Sequence, residues 1–236
     1  MSICLFLSFR LSASRSPDPG EMSRLDEVLR AAPTLRKALV HTSSRADDPY
    51  LDDGPPPQLM LQLYFAELPD LEAALARDGH LSALTSRNAF PDLAGAAVTQ
   101  QAMLVRTFPV PEPAFGNPPG TPFCTYLVAY EGEAEDLNGW HSHYFANHTG
   151  HMARFPGIRD LEIYTRLDWV SALPYPRVNF MQRNKVVFDS ADALTAALNS
   201  PVRHDLRACF KTFPPFTGPV THFAMATRAL FPQSRD

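Results

Sequence analysis

The feature that most constrains the fold is that the chain is written twice. Residues 32–42, APTLRKALVHT, and residues 155–165, FPGIRDLEIYT, stand 123 positions apart and share Pro33/Pro156, Arg36/Arg159 and Thr42/Thr165. At the same spacing YFAELPDLEAAL (64–75) lies over VFDSADALTAAL (187–198). One residue of slippage later, VTQQAMLVRTF (98–108) lies over VTHFAMATRAL (220–230), and ICLFLSF (3–9) faces FCTYLVA (123–129). The stretch from 43 to 64 has no identities with its counterpart, so the match rests on its ends. Internal self-similarity is stronger evidence about fold than local propensity.

Each half reads as strand, helix, two strands, helix, strand. In the second half the segments are 123–130, 136–155, 158–169, 178–188, 191–212 and 220–230. The strands alternate or are apolar throughout, and Asp189 and Ser190 cap the second helix. The order β-α-β-β-α-β is the ferredoxin-like unit. The expected class is α+β, with two tandem units packed sheet to sheet so that their faces and edges are covered. The division is 1–108 for the first repeat, read as structural, 109–122 for a proline-rich linker, and 123–236 for the second repeat, which carries the site. A tandem of this kind is complete as a monomeric pseudo-dimer and leaves further homo-oligomerisation open.

Charge and cysteine usage exclude several classes. A net charge of −4 with no Lys/Arg run argues against nucleic acid and anionic membranes as partners. Three scattered cysteines without C-x-x-C fit a reducing, cytoplasmic setting. The opening MSICLFLSFRLSASRS looks superficially like a signal peptide, but its apolar stretch is short and no Lys or Arg precedes it. It is read as a strand. No apolar run approaches the roughly 18 residues of a membrane helix. G-x-G-x-x-G, P-loop and G-x-S-x-G motifs are absent.

Chemistry concentrates in residues 139–157, GWHSHYFANHTGHMARFPG, which hold four of the eight histidines. On a helical wheel Trp140, His141, Tyr144, His148, His151, Met152 and Phe155 share one face, and His143 points the other way. The repeat is an internal control: Leu25 and Val28 stand where the second copy has His148 and His151, so the scaffold does not require imidazole there. A desolvated neutral imidazole at His148 suits a general base. Tyr144 can orient it or donate to an oxyanion, and His151 can assist. On the next strand Glu162, Tyr164, Arg166 and Asp168 share a face and can orient a histidine, bind a carbonyl or carboxylate, or pack against the other repeat in ion pairs. Trp140, Phe155 and Trp169 are expected to wall the pocket. His222, which replaces Gln100 of the first copy, is a further lining residue. His148 and His151 could also co-ligate a divalent metal, although no H-E-x-x-H is present.

The second half resembles EthD-type domains of the dimeric α+β barrel superfamily. HYFANHTGHMARFPGIRDLEIYT, then VVFDSADALTAALNSP and a phenylalanine-rich turn, carry the resemblance over about residues 123–230. An aromatic precedes the helical histidine by four, Pro156-Gly157 follow it by eight, and Phe188-Asp189-Ser190 open the later helix. Tyr144 stands where the family usually has Trp, and Thr149-Gly150 where it has a small residue and Pro. The resemblance implies a pseudo-dimeric α+β barrel with a pocket between helices and sheet for small organic, often aromatic or polyketide-like, compounds. Isomerases, cyclases, dehydratases, monooxygenases and haem enzymes share the superfamily, so fold does not set function. The expected activity is that of a cofactor-independent lyase, isomerase or cyclase acting on a hydrophobic carbonyl or phenol. The alternatives are an oxygenase, cofactor-free or using haem or metal, and a non-catalytic binding protein for a hydrophobic metabolite.

Overall fold

The structure is a computed structural model that describes residues 2–11 and 16–232. Met1 and Ser12–Arg15 of the signal-like opening, and the last four residues of the second repeat, lie outside the described residues. Eight strands close a barrel in the order β1-β3-β2-β8-β5-β7-β6-β4. They are β1 (Ser2–Arg10), β2 (Leu35–Ser43), β3 (Leu59–Phe65), β4 (Ala97–Phe108), β5 (Phe123–Tyr130), β6 (Asp160–Arg166), β7 (Gln182–Phe188) and β8 (Val220–Leu230). Every pair is antiparallel, and the two halves meet along β2–β8 and β4–β6. Closure leaves no free sheet edge.

The two halves share one pairing register. Lys37↔Tyr64 and His41↔Met60 in the first half correspond to Asp160↔Val187 and Tyr164↔Arg183 in the second. One part of the sequence alignment shifts. Ile3 pairs with Phe65 and Leu104, and its counterpart Cys124 pairs with Phe188 and Ala226. SICLFLS, not ICLFLSF, therefore lies over FCTYLVA. Both faces of these strands are buried, so the apolar run carries no alternation from which register could be read.

Helices cover the outside of the barrel. In the first half α1 (Pro19–Ala31) starts at Asp18, whose carboxylate accepts from the Glu21 amide, with Pro19 preset for the first turn. Short helices α2 (Leu68–Ala74), a 3₁₀ turn (His80–Thr85) and α3 (Pro91–Ala94) follow. In the second half α4 (Leu137–His143), a π-helical turn (Tyr144–His148) and α5 (Thr149–Met152) run on as one rod. The segment read as one helix over 191–212 is two, α6 (Ala191–Leu198) and α7 (Pro201–Phe210). Pro201 lacks the amide needed to continue α6 and instead begins α7. The strand read over 158–169 is β6 alone, and that over 178–188 is β7 alone.

Alternate residues on each strand divide the core. Ile3, Leu5, Leu7, Leu61 and Leu63 face the first-half helices, and Tyr126, Val128, Leu161, Ile163 and Val186 face those of the second. The barrel interior mixes apolar residues such as Phe6, Leu39 and Met225 with a continuous polar chain. Lys185 Nζ is 2.8 Å from both Asp160 and Glu162. Glu162 accepts from the Tyr64 and Tyr164 hydroxyls, and Gln62 donates to Tyr164. His41 bonds Gln62 through Nε2 and Thr227 through Nδ1, each at 2.8 Å. Burial would raise the Glu162 carboxyl, but Lys185 and Lys37 hold it below the usual carboxylate range.

The β2–β3 connection (44–58) crosses onto the second half, and the β6–β7 connection (167–181) crosses onto the first. Asp47 N–H bonds Thr195 Oγ1, and Ser44 N–H bonds the Ala224 carbonyl. In the opposite sense Ala172 N–H bonds the Leu75 carbonyl, and Gln100 Nε2 donates to the Tyr175 carbonyl at 2.6 Å.

Candidate functional site

The crossing connections make the two halves unequal. On the first half, Trp169, Leu173 and Tyr175 from the 167–181 segment fill the space against β1, β3 and the helices, where they join the core. On the second half, the 44–58 segment brings Asp47, Asp48, Asp52 and Asp53 instead. A cavity of about 620 Å³ remains, lined by that segment and by Tyr126, His222, Phe223 and Ala224. Its size lies within the roughly 300–1,000 Å³ typical of small-molecule sites.

His222 Nδ1 lies 2.8 Å from Asp53 Oδ2, and the His222 amide donates to the same oxygen at 2.8 Å. The hydrogen bond from His222 holds the Asp53 carboxyl below its ordinary pKa. The Tyr126 ring lies 5.8 Å from the His222 ring. Its hydroxyl donates to Asp48 Oδ2 at 3.0 Å, and the same oxygen takes the Arg203 guanidinium of α7 at 2.6 Å. Carboxylate, imidazole and phenol thus converge on one cavity, with the carboxylate fixing the imidazole tautomer, the arrangement of an acid–base site.

His148 is not among the residues that line this cavity. It is 7% exposed, with its ring 4.8 Å from that of Tyr144 and 4.9 Å from that of Phe213. Its Nδ1 is buried without a hydrogen-bond partner among the described residues, as are Trp140 Nε1 and His141 Nε2. Burial lowers its pKa to about 3, and His151, Arg203 and His222 push in the same direction. The imidazole is neutral near pH 7 and is a weaker base than the sequence suggests. The π-turn marks the position: the Thr149 amide bonds the Tyr144 carbonyl, five residues back. Such turns sit frequently at functional sites.

The remaining expected residues fall in several places. Trp140 is buried and stacks on Tyr144, with centroids 5.0 Å apart, and Phe155 packs on Phe188. Tyr144 is fully buried, and its hydroxyl accepts from Asn184 at 2.7 Å and donates to Met152 Sδ. It therefore braces the helix and does not present a donor to an oxyanion. His141 is half-buried and stacks on Phe145, with its pKa lowered to about 4 by burial and by Arg106 and Arg166. His151 is half-exposed beside Arg154, because the extra residue of the π-turn moves it to the margin of the buried face. His143, expected in solvent, is half-buried against Thr212.

Tyr164 and Arg166 belong to the barrel face of β6, not to the helix-side cavity. Tyr164 joins the interior chain, and Arg166 pairs with Glu133 at 2.7 Å near one end of the strand. Asp168 lies beyond the end of β6 and is exposed. Trp169 is no wall of the His148 site, since its connection carries it across to the first half. Asp53, Asp48, Tyr126 and Arg203 were not foreseen. A signal for the two aspartates exists in the sequence: the span from 43 to 64 is where the two copies diverge completely.

The donor set at His148 and His151 does not fit a divalent metal, because one ring is buried and the other turns towards Arg154. Among the described residues no group of three or more His, Cys, Asp or Glu is placed to hold a metal ion. Tyr144 and Phe213 occupy the space beside the His148 ring, so the site in this form does not fit a haem either.

Tandem ferredoxin-like units closing one barrel define a single-chain member of the dimeric α+β barrel fold. No protein-family model matches the chain, and no curated protein does. Solved structures share the architecture. An anthrone oxidase-like protein superposes with a TM-score of 0.63 at 12% identity, over 98% of this chain and 93% of that one. A protein assigned as a monooxygenase from Lactobacillus acidophilus NCFM gives 0.56 at 12% identity, over 96% and 93%. One so assigned from Fusobacterium nucleatum gives 0.55 at 9% identity, over 96% and 92%. At such identities the likeness is one of fold. No helix among the described residues is long and apolar enough to cross a membrane.

Proposed function

We propose that the chain is a small-molecule enzyme that moves a proton on a hydrophobic carbonyl or phenolic compound, in the cavity beneath the 44–58 segment. The observation that carries the reading is the Asp53–His222 pair lining that cavity. Asp53 orients the His222 ring and stabilises the imidazolium formed when it takes a proton from carbon or oxygen. Tyr126 sits beside it. His148, packed between the rings of Tyr144 and Phe213 and absent from the cavity wall, has no part in the step. This keeps the acid–base chemistry expected of the EthD-like half and moves its centre from the helix to β8.

Proton abstraction is the first step of a lyase or isomerase, and of a cofactor-free oxygenase whose substrate carbanion then reacts with dioxygen. The second reading is favoured by the names borne by the structures that share the fold, an anthrone oxidase-like protein and proteins assigned as monooxygenases.

The test is solvent deuterium exchange into a panel of polycyclic phenols and ketones, with dissolved oxygen followed in parallel. The wild-type chain is expected to exchange an acidic C–H in at least one compound, and His222→Gln to lower the rate by about 10²–10⁴-fold. His148→Gln, a change outside the cavity wall, is expected to leave the exchange rate within a few-fold of the wild type. Oxygen uptake coupled to exchange selects the oxygenase, and exchange without uptake selects the lyase or isomerase. Exchange that survives in His222→Gln, or an entire panel bound without exchange, overturns the reading.

A further inference from the structure

Arg183 is a buried guanidinium without a counter-ion among the described residues. It lies on β7, 6% exposed, with its side chain at one mouth of the barrel between the rings of Phe180 (4.4 Å to the centroid) and Phe6 (4.8 Å). Among the described residues no carboxylate comes within ion-pair reach of it, and no hydrogen bond satisfies its Nε. The interior's other buried cation, Lys185, is held by two carboxylates at 2.8 Å. An uncompensated buried charge is costly, and its desolvation lowers the Arg183 pKa to about 10, which leaves it cationic near pH 7.

The space beside it is hollow. Arg183 lines a cavity of about 180 Å³ with Arg10, Ser8, Thr99, Phe223 and Glu131. Glu131 is the one carboxylate on that wall, and its field favours the charged guanidinium, but the two form no ion pair. The repeat again supplies a control. The counterpart of Arg183 is Met60, paired with His41 as Arg183 is paired with Tyr164, and Met60 faces the same cavity. The barrel mouth therefore accepts an apolar side chain at the symmetry-related position, and the second copy has a planar cation there.

We propose that this mouth of the barrel binds a small carboxylate or phosphate anion on the Arg183 fork, with Arg10 adding a second positive charge at the rim. A guanidinium clamped between two rings presents paired N–H groups in a fixed plane, the geometry that takes a carboxylate or phosphate two-pronged. The volume falls below that of drug-sized sites, so the ligand is a small acid. The site is separate from the Asp53–His222 cavity, although Phe223 borders both.

Calorimetric titration of the full chain with malonate and with inorganic phosphate, against a chloride baseline, tests this without any substrate. Wild-type protein is expected to bind at least one of them. Arg183→Met, which installs the first copy's residue, is expected to weaken that binding tenfold or more. Its melting temperature in anion-free buffer should equal or exceed that of the wild type, and only the wild type should gain stability when the anion is added. Heat with malonate alone assigns a carboxylate, and heat with phosphate alone assigns a phosphate. If Arg183→Met fails to fold, Arg183→Lys decides: it keeps the charge, loses the fork, and should bind several-fold more weakly. No heat above chloride, or equal affinity in the wild type and the folded variant, overturns the proposal.

Discussion

At the scale of single residues, the histidines make the protein sensitive to acid in a calculable direction. His41 and His148 are buried, and desolvation lowers each to about 3 from an ordinary 6.5. The fold holds them neutral, whereas the unfolded chain binds a proton on each once the pH drops below 6.5. Their contribution is therefore complete above pH 6.5 and is lost as pH falls towards 3. Each group would cost on the order of 3 kcal/mol by pH 4. Acid unfolding is expected to set in between pH 5 and 4. His148→Leu, which installs the residue that the first copy buries fully as Leu25, should move the midpoint to lower pH in a fluorescence or circular dichroism titration. An unchanged midpoint would show that His148 is not held neutral by the fold. The departure of His148 from a plain core residue is legible because the repeat offers Leu25 for comparison. Asp53 was not legible as its neighbour's partner, because nothing local in DDPYLDDGPPP refers to His222. The two meet only when β2 and β8 pair to join the halves.

At the scale of elements, the eight strands and their order within each half follow from the periodicity and the repeat, whereas the crossing connections do not. The two connections leave equivalent places in the two copies, yet one fills its target with Trp169, Leu173 and Tyr175 and the other roofs a cavity with carboxylates. A strand's face can be read from alternation, but where a proline-rich loop lands depends on closure of the barrel. The roof is pinned at Asp48, whose carboxylate accepts from Tyr126 and Arg203, with the side chains of the ion pair only 6% and 10% exposed. Asp48→Ala leaves the Arg203 charge without its partner and should cost on the order of 3 kcal/mol. Limited proteolysis should then cut within residues 45–56 well before any strand, with peptide mapping as the readout. Cleavage as slow as in the wild type would mean that the roof is held elsewhere. The π-turn is the other element that a uniform helical wheel misses, since one extra residue in the turn moves His151 to the margin of the buried face and keeps Trp140, Tyr144, His148 and Met152 in one buried row.

At the scale of the whole molecule, the halves are fused by two strand seams and by the exchanged connections, so neither core is built from its own repeat alone. Trp169 shows this most directly. It belongs by sequence to the second repeat, is 6% exposed, and packs in the cluster that contains Leu5, Leu25 and Leu61 of the first. Trp169→Ala should remove about 3–5 kcal/mol, the usual cost of deleting a large buried aromatic, because β1, β3 and α1 cannot collapse into the space. The loss should be spatially displaced from the mutation. Amide hydrogen exchange is expected to accelerate in β1, β3 and α1 more than in β5 and β7, although the substituted residue adjoins β6. Because β2–β8 and β4–β6 tie the halves together, chemical unfolding should remain a single transition seen alike by circular dichroism and by tyrosine fluorescence. Loss of protection centred on the second half, or two resolved transitions, would contradict the fused architecture. Faster exchange centred on the first half, within one transition, would show that the first repeat is filled by the second. That filling is the physical reason that the place equivalent to the Asp53–His222 cavity is closed in the first half.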